Sequence, residues 1–313
     1  MHDLTQLTQF EDRVTFLYLE KGHIEQHQRS VAYVTELEKV PIPAAGLAVL
    51  MLGPGTTITH AAIRNLADCN CLVAWCGEEG TRFYSHGRGG TYGAEKLLRQ
   101  AELYCNPRTR AKVIRRMYQK RFGGPLDPAL TLQQIRGREG HRVRSAYSEA
   151  AQRFGLKWHG RSYDPQDWNA ADPLNRALSA ANACLHALTH AAILTAGYSP
   201  AIGFIHTGKA LSFVYDIADL YKVEMIVPLV FEAVAESDQN VERRARLACR
   251  SMFQQNRLLE KILPDIAEVL HGRTDSGEGA SGPPGRPEPL DDRAEERDIP
   301  RPYDSPPPGQ AVG

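Results

Sequence analysis

Between residues 12 and 85 the apolar positions come in short runs, 14–19, 31–34, 47–52, 72–75 and 82–84, rich in branched and aromatic side chains. Turn signals such as Lys21-Gly22, Gly53-Pro54-Gly55 and Glu79-Gly80 divide them, so the runs predict strands. One helix interrupts the series: Thr59 is placed to cap it, and Ala61, Ala62, Ile63 and Leu66 form an apolar stripe ahead of Asp68. Past a glycine-rich hinge at 87–93 the period lengthens. Segments 96–104, 108–122, 131–154, 173–195, 212–221, 228–235 and 241–270 carry apolar residues at spacings of three and four, which predicts helices. From Arg273 the pattern dissolves. That stretch holds nine of the chain's 20 prolines among glycines and acids, too little apolar surface to offset the entropy of ordering, and is expected to be disordered.

The fold class that follows is α+β. A small β-rich, sandwich-like N-terminal domain is expected at 1–86, a linker at 87–95, a larger all-α domain at 96–272, and the Pro-rich tail at 273–313. With 313 residues, 42% hydrophobic and 24% charged, the chain can bury a sizeable core. The N-terminus lacks the basic, apolar, small-residue succession of a signal peptide, and no apolar run approaches spanning length, so a cytoplasmic protein without a membrane segment is expected. Cys69, Cys71 and Cys76 cluster without paired C-x2-C spacing, and Cys105, Cys184 and Cys249 are isolated; buried reduced thiols are expected.

A formal net charge of zero hides a division. The tail has five basic and nine acidic residues, about −4, leaving about +4 on residues 1–272. Arg108, Arg110, Lys112, Arg115, Arg116, Lys120 and Arg121 lie between Asn106 and Gly124 with no acid among them. Arg136, Arg138, Arg142 and Arg144 form a second group around Glu139, and Arg243, Arg244, Arg246 and Arg250 a third. Any one group fits a solvated helix face; three in one helical domain favour a polyanionic ligand.

The chemistry is concentrated in residues 206–222. Asp216 and Asp219 lie three apart in an apolar helical pattern, which puts both carboxylates on one face, where they repel unless a proton, a basic partner or a divalent cation intervenes. His206 precedes that helix in a loop bracketed by Gly203 and Gly208 and is able to add an imidazole to the two oxygen donors, a mixed set that suits Mg²⁺ or Mn²⁺. The same residues also admit a plain ion-pair account, with Asp219 on Lys222 and Asp216 on Lys209. Glu139 stands in the same balance: an anchor for its arginines, or the third ligand of a site with phosphate-binding cations on its rim. Tyr163 and Trp168 fit either stacking on unpaired bases or anchoring their loop. Gly87-Arg88-Gly89-Gly90 lacks the Lys and Ser/Thr of a phosphate loop, and no Gly-x-Ser-x-Gly elbow occurs.

Four longer motifs decide between these alternatives: Arg136-Gly137-Arg138-Glu139-Gly140; Tyr163-Asp164-Pro165 with Trp168; Ala201-Ile202-Gly203-Phe204-Ile205-His206-Thr207-Gly208-Lys209; and Leu211-Ser212-Phe213-Val214-Tyr215-Asp216-Ile217-Ala218-Asp219. Together they resemble the integrase subunit of CRISPR adaptation, in its type I-E form, over nearly the whole chain to about residue 270. The resemblance implies a β-rich domain that builds a homodimer and a helical catalytic domain. It also implies a heterohexamer with a small ferredoxin-like partner subunit, which inserts double-stranded DNA with 3′ overhangs into a repeat array. It assigns Mg²⁺ or Mn²⁺ to Glu139, His206 and Asp219, with Asp216 as a nearby essential carboxylate. DNA contacts are expected from Arg82, Tyr163, Lys209 and Tyr215 by resemblance. The basic groups and the loop aromatic add Arg108, Arg110, Lys112, Arg115, Arg116, Arg136, Arg138, Arg142, Trp168, Arg244 and Arg246. The chain departs from the resembling proteins at Lys21 and His186, where they place tyrosines, and at Thr57, where they place an arginine.

The expected reaction is transesterification by a DNA 3′-hydroxyl. A metal-dependent nuclease on branched or single-stranded DNA would use the same site with water, and a non-catalytic DNA-binding scaffold would need only the basic helices.

Overall fold

The computed structural model describes residues 15–78, 83–87, 93–161 and 172–272. Arg82, Tyr163 and Trp168, the centre of the glycine-rich hinge and the tail lie outside the described residues. The chain begins with strands β1 (Thr15–Leu19), β2 (His23–His27), β3 (Ser30–Val34), β4 (Lys39–Ile42), β5 (Leu47–Leu52) and β6 (Thr57–Ile58). Helix α1 (His60–Asp68) and strands β7 (Leu72–Cys76) and β8 (Phe83–Gly87) complete this part. They form two four-stranded sheets, ordered β1-β5-β7-β8 and β4-β3-β2-β6.

The run Leu47–Leu52 explains how the sheets are held. In β5 every residue is buried, and β1 and β7 flank it in parallel. A strand covered on both faces has no polar side, hence its unbroken apolar sequence. Leu50 and Leu52 pack with Ile24 and Val31 of the other sheet and with Ala62 and Leu66 of α1, whereas Val49 and Met51 belong to the large core that continues into the helices. Thr59 caps α1 by accepting from the Ala62 amide, as its position predicts.

Among the described residues eight helices follow: α2 (Glu95–Cys105), α3 (Pro107–Phe122), α4 (Leu132–Phe154), α5 (Pro173–Thr195), α6 (Ser212–Tyr221), α7 (Val227–Glu236), α8 (Val241–Gln255) and α9 (Leu258–His271). The β-rich start, helix-rich continuation and α+β class agree with the sequence expectation. Helix α5 is the centre of the bundle. Contrary to the expectation that no apolar run approaches spanning length, it is long and apolar enough to cross a membrane, yet most of it is buried against α6, α7, α8 and α9.

Other differences have local causes. Strands β2, β4 and β6 were not expected, because β2 contains one buried residue, β4 carries Pro41 at a sheet edge, and β6 has only two residues. The single helix expected over 241–270 is two. Buried positions advance by fours through Val241, Ala245, Cys249 and Phe253, then by five to Leu258. An unbroken helix would rotate that stripe off the core, and the left-handed Arg257, at φ 49°, resets it. Conversely α6 and α7, expected as separate helices, are joined by a π-helical turn at Lys222–Ile226. Of the six cysteines Cys71, Cys76, Cys184 and Cys249 are buried, but Cys105 is exposed and Cys69 only partly covered, so burial describes four of the six.

Candidate active site

Asp216 organises the region. It is fully buried on α6, and its carboxylate faces the loop that precedes the helix. Oδ2 accepts from the backbone amides of Phe204 (2.5 Å) and Ile205 (3.1 Å), and Oδ1 from the amide of His206 (2.9 Å). Three consecutive N–H groups thus wrap one anion, which satisfies donors that burial would otherwise leave costly. Glycine at 203 is obligatory: a Cβ there would stand 2.4 Å from the His206 carbonyl oxygen and 2.7 Å from Ser212. Buried Gln100 of α2 fastens the upstream end of the loop, donating to the carbonyls of Ser199 (3.0 Å) and Ile202 (2.9 Å) and accepting from the Ser199 amide (2.8 Å).

The same carboxylate fixes the histidine. His206 Nδ1 lies 2.7 Å from Asp216 Oδ1, and since a carboxylate only accepts, Nδ1 carries the proton and donates. In the neutral ring the lone pair is then on Nε2, which stands 4.0 Å from Asp219 Oδ2. This is how a protein prepares an imidazole to ligate a metal. Side-chain exposure rises from 0% at Asp216 through 12% at Glu139 and 22% at Asp219 to 42% at His206, so the cluster opens to solvent at one end.

Glu139 reaches the cluster from the middle of α4, a helix begun by a capping box between Thr131 and Gln134. Arg142, one turn further on, donates to both its oxygens, Nε to Oε2 at 2.9 Å and Nη2 to Oε1 at 3.2 Å. Between Glu139 and Asp219 lies Arg121, from the last turn of α3. Its side chain is 4% exposed, with Nη1 3.8 Å from Glu139 Oε1 and Nη2 3.4 Å from Asp219 Oδ2. Nη2 also donates to the Asp216 backbone carbonyl at 3.2 Å, and the guanidinium lies over the Tyr118 ring. Lys222, in the π-helical turn, approaches Asp219 Oδ1 at 3.4 Å.

Whether a divalent ion fits is a question of donors. Among the described residues no three His, Cys, Asp or Glu side chains stand close enough in this arrangement to ligate one ion. The donor chemistry nevertheless suits one: two carboxylates share the Arg121 guanidinium, and an imidazole nitrogen lies 4.0 Å from one of them. Two donors each about 2.1 Å from an ion are at most about 4.2 Å apart, a limit that the 4.0 Å between Nε2 and Oδ2 meets. Glu139 joins only if it shares or exchanges one of its arginine bonds.

The other expected contacts divide into two kinds. Arg108, Lys112, Arg136, Arg138 and Lys209 are exposed. Several others are tied to backbone carbonyls: Arg110 to Phe204 (3.1 Å), Arg115 to Asp127, Pro128 and Leu130, Arg116 to Val269 and Leu270, and Arg244 to Ser237. Arg246 lies near Glu78 at 3.8 Å. Tyr215 stands edge-on between His206 and His186, with centroids 5.8 and 5.1 Å away. Burial pushes the His186 imidazole down to about 4, aided by Lys222 and opposed by Asp219. Lys209 does not pair with Asp216, which the loop amides occupy; the Lys222–Asp219 pair does form.

Sequence reasoning did not single out Arg121 or Gln100. Arg121 ends a run of seven similar cations, and Gln100 lies about a hundred residues from the loop it fastens. Their one local signal is a polar residue on an otherwise apolar face.

A profile of the family CRISPR associated protein Cas1 matches residues 123–244, which include Glu139, His206, Asp216 and Asp219. A CRISPR-associated endonuclease Cas1 from Thermus thermophilus is 49% identical over 86% of this chain and 83% of its own length. One from Escherichia coli is 43% identical over 83% of this chain and 86% of its own. Among solved structures, a TtCas1–DNA complex superposes with a TM-score of 0.76 at 49% identity, covering 85% of this chain and 99% of that one. Likeness of this extent, running through both the sheets and the acid-bearing helices, makes the chain a member of the Cas1 family of CRISPR-associated endonucleases.

Proposed function

We propose that this chain is a metal-dependent integrase of the type I-E form, inserting short DNA fragments into a CRISPR repeat array by attack of a DNA 3′-hydroxyl on a phosphodiester. The observation that carries the proposal is the open end of the acid cluster. There His206 Nε2 stands 4.0 Å from Asp219, Glu139 shares Arg121 with Asp219, and Asp216 fixes the histidine, while Arg136 and Arg138 are exposed on the helix that carries Glu139. When bound, Mg²⁺ or Mn²⁺ supplies a Lewis acid that lowers the pKa of the attacking hydroxyl and neutralises charge on the phosphodiester. Glu139, His206 and Asp219 hold it. Asp216 keeps the His206 proton on Nδ1 and presents Nε2 as a ligand; it has no opening to solvent and acts through the histidine. Arg136, Arg138, Arg108, Lys112 and Lys209 hold the DNA backbone, where each neutralised phosphate contributes to a salt-dependent affinity. Tyr215 shapes the wall beside His206. The proposal includes a homodimer, and a ferredoxin-like partner subunit that completes a heterohexamer.

Hydrolysis is the second reading, favoured by the name endonuclease that the relatives carry. The same residues serve both reactions, with water in place of the 3′-hydroxyl.

The test is a strand-transfer assay with labelled 3′-hydroxyl duplex, repeat-array DNA and Mn²⁺. His206→Ala is expected to lose at least about a thousand-fold in rate, the equivalent of about 4 kcal/mol of transition-state stabilisation, while binding duplex within a few-fold. Strand transfer retained by this variant would reject the ligand set. Cut but unjoined products from the unaltered protein would favour hydrolysis, and activity indifferent to EDTA would reject both metal-dependent readings.

A further inference from the structure

Arg121 has no part in the ligand set proposed above, yet it occupies the middle of it. Of the three cations that touch the acids, Lys222 and Arg142 have side chains 32% and 23% exposed, and both have room to swing into solvent. Arg121 has none: at 4% exposure it is fixed by the Asp216 carbonyl and the Tyr118 ring. Its Nε is buried and has no hydrogen-bond partner among the described residues. A guanidinium kept in place with an unsatisfied donor does not serve its own bonding best. What its position does serve is the pair of carboxylates, Glu139 on one nitrogen and Asp219 on the other.

We propose that Arg121 is a resident counter-cation: it holds Glu139 and Asp219 together when the site is without metal and weakens the site's hold on a divalent ion. The inference rests on the ligand reading above, and the physical reason is one of charge. Two converging carboxylates repel and need a cation between them. A fixed guanidinium meets that need permanently and repels any further cation arriving at the same oxygens. Arg142 and Lys222 are free to turn away as such an ion enters and Arg121 is not, so its charge opposes the ion throughout. Arg121 is therefore a positioning residue, setting the range of Mn²⁺ concentration over which the site fills.

The experiment measures Mn²⁺ binding to the full-length protein by the electron paramagnetic resonance signal of the free ion, alongside thermal melting with and without Mn²⁺. Arg121→Met is expected to bind Mn²⁺ at least tenfold more tightly. It should melt lower than the unaltered protein without metal and recover most of that difference in saturating Mn²⁺. Arg121→Lys, which keeps the charge, should stay within about threefold of the original affinity. An Arg121→Met protein with unchanged affinity and a melting loss that Mn²⁺ does not repair would overturn the proposal, leaving Arg121 a packing residue. Should that variant fail to fold, Arg121→Gln, which removes the charge but keeps a polar end, carries the same expectations. Asp219→Asn separates the two claims. If it binds Mn²⁺ as the original does, the ligand reading itself fails; if it loses Mn²⁺ while the Arg121 variants leave affinity unchanged, only the counter-cation is wrong.

Discussion

Asp216 and Asp219 sit one turn apart on the same helix, and they belong to two different regions of the site. The closed region, around Asp216, is built of short hydrogen bonds to three loop amides and the His206 imidazole, with the carboxylate itself shut off from water. The open region, around Asp219, Glu139 and His206, is built of side-chain ion pairs, from 2.9 Å between Arg142 and Glu139 to 4.0 Å between His206 and Asp219, in which every group but Arg121 is partly exposed. A carboxylate surrounded by fixed donors is architecture: its bonds are complete and it has little to offer a ligand. One whose partners include the partly exposed Lys222 or Arg142 can exchange them, which is what binding and chemistry require. The helix supplies the spacing, and the loop decides which acid does which.

The strongest way to break that comparison is to remove Asp216. Asp216→Ala should cost about 3–5 kcal/mol, because it leaves three buried amides and an imidazole without their acceptor, and strand transfer should fall with the fold. A urea midpoint near that of the unaltered protein would show that the closed region is not what holds the loop.

A second effect, at most on the order of 3 kcal/mol, comes from His190, one turn beyond His186 on α5 but facing the sheet. Burial, with His86 nearby, pushes its imidazole down to about 4, and it packs on Phe83 at 4.1 Å. The folded form keeps it neutral while the unfolded chain takes up a proton below about 6.5. Its contribution is therefore complete above pH 6.5 and lost as pH falls towards 4. His190→Phe should flatten the decline in urea midpoint between pH 7 and 4.5, and an unchanged slope would exclude His190 as a source.

In the open region, His206→Ala should cost only about 1 kcal/mol of stability, one hydrogen bond to Asp216, despite its large effect on rate. A loss near that of Asp216→Ala would erase the distinction between the two regions. The smallest effects belong to the rim. Arg136→Ala and Arg138→Ala, one at a time, should leave folding unchanged and each reduce the slope of log affinity against log salt for duplex DNA by about 1. Arg115→Ala and Arg116→Ala, whose guanidiniums bind backbone carbonyls, should alter stability more than that slope.

These expectations show which parts of the protein were legible in its residues. The strand at 47–52, the cap at Thr59 and most of the helices could be read directly, because their apolar positions repeat at the period of the element they form. Strands β2 and β6 could not, since they owe their pairing to neighbours and not to their own side chains. The break at Arg257 was hidden because one step of five in a series of fours is easily passed over. For the site, spacing alone left Asp216 and Asp219 equivalent and the ion-pair and metal accounts both open. Seven clustered basic residues looked alike, although Arg121, Arg115 and Arg116 turn inward and Arg108 and Lys112 outward.

By itself, then, the sequence determined most of the elements, the α+β class and the set of residues that carry family membership, since each of these is written in local period or in contiguous motif. Only the tertiary structure decided what each polar side chain does. It closed the loop from Gly203 to His206 over Asp216, brought Gln100 and Arg110 to that loop from other helices, and set Arg121 between Glu139 and Asp219. The reason is that a charge acquires its role from its partners and its exposure to water, and here those partners come from parts of the chain far apart in sequence.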